Sequence, residues 1–379
     1  MTKLEQLIEE LCPNGVEYRK LSEVTTIERG RRVVKEQLSH DSGYPVFQNS
    51  LTPMGFHTDS NYPAETSYVI GAGAAGEIGY CKEDFWAADD CFPIVCGDSV
   101  INRYVYHFLL WQQPVLLSKV RKASIPRLSR SVIENIMIPV PPLPVQSEIV
   151  RILDNFTELT AELTAELTAR KKQYEYYTEQ LMNFGDNVKM LTLGEIGSVK
   201  MCKRILKSQT NTEGGIPFYK IGTFGREPDA FISEEVFEEY KEKYSYPKKG
   251  DILISCSGTI GRTVVFDGEP AYFQDSNIVW LEHDEKIVTN KYLQYSYKKQ
   301  PWQISTGGTI ARLYNDNILK ARIPVPPIEE QERIVAILDR FDTLCNDISA
   351  GLPAEIEARQ KQYEYYRDKL LTFKELIAN

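Results

Sequence analysis

The amino-acid sequence contains the same long-range pattern twice. Three motifs each occur in two copies, namely IPVPP (138–142 and 323–327), IVxILDxF (149–156 and 334–341) and KQYEYY (172–177 and 361–366). The first two motifs share one offset between their copies, and the third has a slightly larger offset. A duplication of this length predicts two tandem modules, each a globular domain followed by a helix, and not a short solenoid repeat. Because two related halves present two related surfaces, we expect the ligand to be bipartite.

Composition argues against several classes of protein. The 379 residues suffice for two or three domains with cores of their own. No apolar stretch approaches the ~20 residues needed to cross a bilayer, and the opening MTKLEQLIEELCPNG lacks the apolar core of a signal peptide. The seven cysteines form no CxxC pair and the four histidines lie far apart. These features predict reduced thiols, no metal site, no membrane association and a cytoplasmic location.

The placement of charge is more informative than its sum. The net charge of −9, taken alone, argues against a nucleic-acid ligand. Three basic runs nevertheless stand out, namely Lys119, Arg121, Lys122, Arg127 and Arg130; Arg29, Arg31, Arg32 and Lys35; and Lys200, Lys203, Arg204 and Lys207. Any one of these runs, by itself, is most simply a solvated face. The last two occupy equivalent places in the two halves, which favours a shared anionic ligand.

Two long helices follow from the apolar spacing. From Gln146 to about Phe184, apolar residues recur every three or four positions without an internal glycine or proline. Such a helix is roughly 58 Å long at 1.5 Å per residue, so we expect it to pack along the second copy as a coiled coil. The second copy has the same spacing, with Ile348 among its apolar positions, and it contains Gly351 and Pro353, which predict a kink near 350–354. Two tyrosines of each KQYEYY motif, Tyr174 and Tyr177 or Tyr363 and Tyr366, lie at i,i+3 and are predicted to pack on the apolar stripe.

The globular parts predict an α/β (α+β) fold present twice. Landmarks that resemble strand ends and turns recur, such as Gly76–Gly79 with Gly258–Gly261, while the residues between them differ. A retained frame with different loops is typical of two domains that recognise two different things, although drift without selection would give a similar pattern. The predicted segments are listed in order: domain 1 with the N-terminal segment (1–145), a central helix (146–185), domain 2 (186–328) and a C-terminal helix (329–379).

The ends of the chain resemble two parts of one module. Leu4–Cys12 and Val16–Leu21 resemble Leu181–Phe184 and Val188–Leu193. We therefore expect the two chain ends to lie close together and the organisation to be circular, with an internal pseudo-two-fold relation.

Catalytic motifs are weak or absent in the sequence. The glycine-rich Gly71–Gly79 lacks the downstream acid of a dinucleotide site, and its counterpart in the second half lacks the GxGxxG spacing. A nuclease-like string, Pro228-Asp229 with Glu239-Tyr-Lys241, lies in a glutamate-rich segment that has no equivalent in the first half. We therefore interpret the chain as a recognition protein and not as a catalyst.

The repeated residues resemble those of a known family. IPVPP followed by IVxILDxF, the twin KQYEYY ends, the opening KLEQLIEELCPNGVEY and the TAEL run within Thr157–Arg170 are similar to the specificity subunit of type I restriction–modification systems. The resemblance implies two target recognition domains that each recognise half of a split DNA sequence, separated by two long antiparallel helices. It further implies two modification subunits that bind S-adenosylmethionine and methylate adenine, and two restriction subunits that use ATP and Mg²⁺. The chain itself would carry no cofactor.

This interpretation gives candidate contacts to double-stranded DNA. Basic side chains neutralise phosphates, and polar side chains reach base edges in the major groove. The candidates are Arg31, Arg32, Gln48, Asn49, Lys119, Lys122 and Arg127 in the first domain, and Lys203, Arg204, Lys220, Ser257, Thr259, Thr309 and Arg312 in the second. Gln48 and Asn49 match Lys220 and Ile221 by position, which predicts adenine for the first domain and guanine for the second.

Two alternative functions compete with DNA recognition. A two-headed protein-interaction scaffold would explain the acidic net charge and the long helices, but it would not need basic runs in matching places. An enzyme that acts alone is disfavoured because the chain lacks its motifs.

Overall fold

The computed structural model of the protein describes residues 2–185, 188–304 and 311–376. The chain forms two compact units, unit 1 (Met1–Glu166 and Ala354–Asn379) and unit 2 (Leu167–Pro353). The described helices are α1 (Lys3–Leu11), α2 (Leu21–Val24), α3 (Asn102–Ser118), α4 (Arg130–Glu134), α5 (Leu143–Leu181), α6 (Leu193–Ile196), α7 (Glu234–Lys243), α8 (Asn290–Lys298), α9 (Asn315–Lys320), α10 (Ile328–Asn346) and α11 (Leu352–Leu370). None of them is both long and apolar enough to cross a membrane.

The described strands are short and belong to three sheets in each unit. In unit 1 they are β1 (Glu17–Lys20), β2 (Thr25–Ile27), β3 (Tyr44–Phe47), β4 (Phe56–His57), β5 (Thr66–Ile70), β6 (Ile78–Cys81), β7 (Trp86–Ala87), β8 (Cys91–Cys96) and β9 (Met137–Val140). In unit 2 they are β10 (Met190–Thr192), β11 (Gly197–Lys200), β12 (Thr210–Asn211), β13 (Ile216–Tyr219), β14 (Phe231–Ile232), β15 (Ile252–Ser255), β16 (Thr263–Val265), β17 (Tyr272–Phe273), β18 (Ile278–His283) and β19 (Arg322–Pro324).

The two units repeat one sheet topology. The four-stranded sheet has the order β2-β8-β5-β6 in unit 1 and β11-β18-β15-β16 in unit 2. A second sheet, with the order β4-β3-β7 in unit 1 and β12-β14-β13-β17 in unit 2, contains one parallel pair, β3 with β7 or β13 with β17. A two-stranded ribbon, β1 with β9 or β10 with β19, lies beside the start of a long helix. This α/β architecture, present twice, agrees with the fold class that the sequence predicts.

The central strands form because most of their residues are apolar or β-branched. All positions of β5 and β15 are buried, as expected for strands covered on both faces. In unit 1 the core contains residues of β5 and α3 together with Ile149 and Leu153 of α5. In unit 2 the equivalent residues Ile334 and Leu338 of α10 enter the core beside Tyr292 of α8. Each globular domain is therefore packed directly on the helix that follows it.

The glutamine that follows each IPVPP motif ties the helix to its domain. Gln146 is fully buried, accepts a hydrogen bond from the Ile101 amide at 2.9 Å, and donates to the Ser99 and Pro141 carbonyls. Gln331 makes the same three contacts in unit 2, with the Thr289 amide and with the Ile287 and Pro326 carbonyls. The repeated sequence motif thus gives the same hydrogen-bonded contact between domain and helix in both units, which we call the joint.

The first long helix is continuous and the second is interrupted. Helix α5 runs for 39 residues, whereas the C-terminal copy ends at Asn346 and resumes at Leu352. Gly351 lies so close to the Thr343 carbonyl that a Cβ atom would stand 2.4 Å from it. Pro353 lies in the first turn of α11, where proline is tolerated. The predicted apolar position Ile348 is wrong, because it falls in this break and is 79% exposed.

The repeated aromatic residues pack against the facing helix within each unit. In unit 2, Phe341 of α10 stacks on Tyr174 and Tyr177 of α5 at 6.1 and 5.5 Å between ring centroids. In unit 1, Phe156 of α5 stacks on Tyr366 of α11 at 5.4 Å. The prediction that these tyrosines pack therefore holds for Tyr174, Tyr177 and Tyr366, and Tyr363 packs against the core of unit 1.

The two ends of the chain meet in unit 1. Val16 forms a parallel bridge with Glu375, and its amide donates to the Lys374 carbonyl at 2.9 Å. The Tyr18 hydroxyl donates to the Phe373 carbonyl at 3.1 Å. The predicted circular organisation and the four predicted segment boundaries remain predictions.

Candidate nucleic-acid interface

The basic run after the first sheet strand has the same place in both domains. Here domain 1 is the globular part of unit 1 and domain 2 that of unit 2. After β2 and β11, each run leads into a short 3₁₀ turn, Lys35–Gln37 or Lys207–Gln209. In each turn the glutamine Oε1 atom accepts a hydrogen bond from a backbone amide three residues earlier. The donor is Val34 in domain 1, at 3.0 Å, and Leu206 in domain 2, at 2.9 Å. Arg31, Arg32, Lys203 and Arg204 are all exposed.

A second shared feature is the loop after the short parallel strand, which we call the aspartate loop (88–90 in domain 1 and 274–277 in domain 2). Its first amide donates to the preceding sheet, from Ala88 to the Phe47 carbonyl at 2.8 Å and from Gln274 to the Tyr219 carbonyl at 3.0 Å. The next residue is an aspartate in both domains, Asp89 and Asp275. The two aspartates therefore occupy equivalent positions of the fold.

In domain 2 the aspartate loop gathers several of the predicted residues. Arg204 Nε donates to Asp275 Oδ2 at 2.9 Å. Arg312 Nη2 donates to the Ser276 carbonyl at 2.8 Å. Ser257 Oγ donates to Asn277 Oδ1 at 2.9 Å. Contacts to a single loop thus bring Arg204, Ser257 and Arg312 together, although they are distant in sequence.

The same loop borders an open cleft in domain 2. The cleft has a volume of about 610 Å³, and its polar lining includes Arg204, Lys207, Lys220, Gln274, Asp275 and Asn277. Lys220 follows β13 and its Nζ lies 2.8 Å from Asp229 Oδ1. Three cations face this cleft against two carboxylates, Asp229 and Asp275, so its formal charge is positive and its amides add hydrogen-bonding groups. Such a lining suits an anionic ligand that also presents hydrogen-bonding edges.

In domain 1 the aspartate loop lies beside Gln48 and the first basic run. Gln48 Nε2 donates to Asp89 Oδ1 at 3.2 Å, and Arg29 Nε donates to the Asp89 carbonyl at 3.0 Å. The Arg31 amide donates to the Ala87 carbonyl at 2.9 Å. Asn49 is exposed, and its carbonyl accepts the Ala74 amide at 2.9 Å. Gln48 and Lys220 follow equivalent strands, as their spacing in the sequence predicts.

Arg127 reaches this surface of domain 1 through a second loop. The Leu128 amide donates to the Gly71 carbonyl at 2.8 Å, and the equivalent Leu313 amide of domain 2 donates to the Cys256 carbonyl at 2.9 Å. The Gly71 amide in turn donates to the Asp90 carbonyl at 2.7 Å. Arg127 and Arg312 therefore belong to equivalent loops that run beside the aspartate loops.

Three other predicted residues, Lys119, Lys122 and Thr259, form no hydrogen bond to the aspartate loops in the described part of the chain. Lys119 and Lys122 are exposed just after α3, and among the described residues neither makes a contact to the loop of domain 1. Thr259 is exposed at a turn whose carbonyl accepts the Ser255 hydroxyl. Thr309 lies outside the described residues. The assignment of all the candidate residues to DNA contacts remains a prediction.

The cations of the two domains differ in their ionic partners. Within the described ranges, Arg31, Arg32, Lys119, Lys122 and Arg127 form no ion pair. In domain 2, Arg204 and Lys220 are paired with Asp275 and Asp229, whereas Lys203 and Arg312 form no ion pair among the described residues. An unpaired cation meets a phosphate without first giving up a carboxylate, so the basic surface of domain 1 is the more readily available of the two.

Sequence reasoning missed the aspartate loops. The offset between Asp89 and Asp275 differs from the offsets of the landmarks on either side, so a position-by-position comparison of the halves does not align the two acids. The available signal was an acid two positions after a strand that carries an aromatic residue, in WAAD and YFQD. That pattern is too short to identify without the fold.

The weak catalytic motifs do not form a site. No group of three or more metal-ligating side chains occurs among the residues that the structure describes. In the nuclease-like string, Asp229 pairs with Lys220, Glu239 with Lys243, and Lys241 lies over the Phe237 ring. Gly73 and Gly76 of the glycine-rich stretch adopt positive φ angles of 82° and 90°, as turn glycines do.

Comparison with known proteins identifies the family. The family model for the type I restriction modification DNA specificity domain matches twice, at residues 13–170 and 185–358. A putative type I restriction enzyme specificity subunit of Haemophilus influenzae is 50% identical over 98% of both chains. The EcoR124I/EcoR124II specificity subunit of Escherichia coli is 34% identical, over 98% of this chain and 97% of its own.

A solved structure agrees on the fold. The S subunit of a type I restriction–modification system from M. genitalium superimposes with a TM-score of 0.63 over 94% of this chain and 96% of its own, at 17% identity. The domains that carry the aspartate loops are thus specificity domains. The chain belongs to the type I restriction–modification specificity subunits, a family of non-catalytic subunits, and this membership does not favour a general interaction scaffold.

Proposed function

We propose that this chain binds a bipartite DNA sequence with a non-specific spacer, and thereby directs adenine methylation and restriction by partner subunits. The observation that carries the proposal is the recurrence, in two copies of one fold, of a basic run and a polar loop at equivalent places with different side chains. Identical frames place the two surfaces in the same way, whereas different side chains give each surface its own base preference.

Phosphate contacts and base contacts have different sources in this proposal. Exposed cations such as Arg31, Arg32 and Arg127 neutralise phosphates and set the position of domain 1 on the duplex. Gln48 and Asn49 face base edges in domain 1, and Lys220, Arg204 and Ser257 do so in domain 2. Amide side chains suit adenine and basic side chains suit guanine, so the two half-sites differ.

Two modification subunits would dock on the repeated helices. The fifth residue of each KQYEYY motif is an exposed tyrosine, Tyr176 at 58% and Tyr365 at 63%. Large aromatic residues that remain exposed at equivalent points suit two equivalent partners. S-adenosylmethionine would bind to these modification subunits, and ATP and Mg²⁺ to restriction subunits, in the cytoplasm.

The spacer length would follow from helix length. Deletion of one TAEL unit, Thr160–Leu163, shortens α5 by ~6 Å, close to two base-pair rises of ~3.4 Å. The deletion variant should prefer a spacer that is shorter by one or two base pairs and should leave both half-sites unchanged. Altered half-site sequences would contradict this role of the helix.

The proposal is tested by selection from a library of random duplexes. The full chain, assembled with its modification subunits, should enrich two defined blocks at a fixed separation. The Lys220→Ala variant should change one block only, because Lys220 belongs to domain 2. Enrichment of a single uninterrupted block, or of none, would overturn the proposal.

A further inference from the structure

Asp89 and Asp275 each hold a side chain that the proposed function places at a base edge. Asp89 accepts a hydrogen bond from Gln48 Nε2, and Asp275 accepts one from Arg204 Nε. The two aspartates are equivalent in the fold, but Gln48 follows β3 whereas Arg204 belongs to the basic run after β11. The same acid therefore anchors a different type of side chain in each domain.

The position of Asp275 fits an anchoring role better than a direct contact to DNA, and Asp89 is likewise partly buried. The side chain of Asp275 is 18% exposed, whereas that of Arg204 is 69% exposed, so the acid lies beneath the guanidinium. A carboxylate that faced a phosphate would repel it. Beneath a polar side chain, the same charge instead fixes one donor and orients the remainder of the group outward.

The loop that carries Asp275 is held in a specific conformation. Ser276, the next residue, has a φ angle of 54°, in the left-handed region that non-glycine residues rarely adopt. Its carbonyl accepts a hydrogen bond from Arg312 Nη2 at 2.8 Å, and Asn277 accepts one from Ser257. Unfavourable backbone conformations persist where the surrounding contacts fix them, and they cluster at functional sites.

The hydrogen bond to Asp89 fixes the orientation of the Gln48 side-chain amide. A carboxylate only accepts hydrogen bonds, so the NH₂ group of Gln48 must face Asp89. The amide retains one N–H donor and its carbonyl acceptor for other partners. One donor beside one acceptor is the pattern that pairs with adenine N7 and N6 in the major groove.

The hydrogen bond to Asp275 determines which edge of Arg204 is free. Because Nε is committed to the carboxylate, the two terminal Nη groups form the outward edge. That edge presents two parallel donors, which match the N7 and O6 acceptors of guanine. The acids thus leave a donor–acceptor edge in domain 1 and a double-donor edge in domain 2.

We propose that Asp89 and Asp275 are positioning residues that set the base preference of the two domains by orienting Gln48 and Arg204. The inference rests on the proposed function, since it requires both domains to contact base edges. It assigns adenine to one position of the half-site bound by domain 1, and guanine to one position of the half-site bound by domain 2.

The Asp89→Asn variant tests the orientation of Gln48. Asparagine keeps the size of the residue but also donates, so the Gln48 amide is free to turn over. Selection from random duplexes should show adenine preference at one position of the first block reduced by about tenfold, with the second block and the salt dependence unchanged. Asp98→Asn, which removes an exposed acid of the same domain, is the matched control and should leave the selected sequence unchanged.

A double variant provides a readout that a purely structural role would not produce. In Gln48→Glu combined with Asp89→Asn, the donor and acceptor of the pair are exchanged. The carboxylate at position 48 then presents only acceptors, so the preference at that position should change from adenine to cytosine, whose N4 amine is a donor. Asp275→Asn should weaken the guanine preference at one position of the second block alone.

The outcomes separate this inference from the proposed function. A wild-type chain that selects no sequence would overturn both. A wild-type chain that selects two blocks, with the same blocks selected by Asp89→Asn and Asp275→Asn, would overturn the positioning role and leave the proposed function standing. A changed preference after Gln48→Ala but not after Asp89→Asn would likewise show that Gln48 contacts a base without the help of Asp89.

Discussion

The two domains share one frame and differ in how their cations are held. Arg31, Arg32 and Arg127 of domain 1 are exposed and form no ion pair in the described part of the chain. In domain 2 the candidates are divided, because Arg204 and Lys220 lie 2.9 and 2.8 Å from carboxylate oxygens, whereas Lys203 and Arg312 form no ion pair among the described residues. The frame therefore fixes where the charges stand, while the acids of each domain decide how much each charge contributes to DNA binding.

The joints between domain and helix show the same division between shared and individual features. Gln146 and Gln331 make identical sets of contacts. The next aspartates along the same helices, Asp154 and Asp339, instead have different partners. Asp154 accepts hydrogen bonds from Arg103 and from the fully buried His107. Asp339 accepts one from Tyr295 and pairs with Lys291. The joint of unit 1 consequently contains a histidine where unit 2 has a tyrosine.

The largest effect is expected from the shared glutamines. Gln146→Ala should lower the free energy of unfolding of unit 1 by about 3 kcal/mol, because it leaves one buried amide and two carbonyls without their partner. Gln331→Ala should affect unit 2 to a similar extent. Hydrogen exchange of each unit measures both changes. Gln180→Ala, at an exposed position of α5, is the control. A loss below about 1 kcal/mol for both variants would contradict the stabilising role of these glutamines, and clearly unequal losses would contradict their equivalence.

The aromatic contacts should separate the two units. Phe341→Ala removes two stacked tyrosine contacts and Phe156→Ala removes one. With about 0.5–1.5 kcal/mol for each aromatic pair beyond simple burial, the Phe341 variant should be the less stable of the two. Thermal unfolding of both variants checks the ranking. Equal losses would show that the second tyrosine adds nothing.

Acid should weaken unit 1 before unit 2. Burial lowers the pKa of His107, although the hydrogen bond with Asp154 opposes the shift. Burial would raise the pKa of Asp154, yet His107 and Arg103 bring it to about 2, so this carboxylate stays charged. The unfolded state therefore binds the extra proton first, and stability falls as the pH decreases through the ordinary histidine pKa of about 6.5, by at most about 1.4 kcal/mol per pH unit.

The pH effect has a direct control. Burial and the hydrogen bond to Asp339 raise the pKa of Tyr295, so the joint of unit 2 gains no proton at this residue in mild acid. Hydrogen exchange at pH 7 and pH 5 should show selective loss of protection in unit 1, and His107→Gln should reduce that selectivity. Equal losses in both units would contradict the role of His107.

The smallest effects concern single cations. Arg127→Ala should reduce the dependence of log Kd on log salt concentration by about 1, since one phosphate contact is lost. Lys220→Ala should reduce it by less, because Lys220 must first leave Asp229. Asp229→Asn, which frees Lys220, should strengthen binding to random duplex DNA. If Arg127→Ala and Lys220→Ala changed the salt dependence equally, the ion pairs of domain 2 would have no bearing on binding.

Much of the fold could be predicted because its signals are long or repeated. The long helices follow from sustained apolar spacing, and the equivalence of the basic runs follows from the constant offset between their residues. The break in the second helix was indicated by Gly351 and Pro353, although the close approach of Gly351 to Thr343 explains it better than the proline does. Ile348 was misplaced because spacing alone does not show where a helix stops.

The parts that could not be predicted depend on short segments brought together by the fold. Strands β7 and β17 have only two residues each, so no periodicity marks them or the aspartate loops that follow. The pairing of Arg204 with Asp275 joins residues 71 positions apart. Sequence shows which cations exist, whereas their acidic partners become visible only when the sheets are assembled.

The central claim is that each domain recognises its own half of a split target. Mapping of methylated adenines in the genome of a host that carries this chain and its modification subunit tests it most directly. We expect one methylated motif made of two defined blocks, separated by a spacer of constant length and no fixed sequence. Methylation in one continuous motif, or none above background, would contradict the claim.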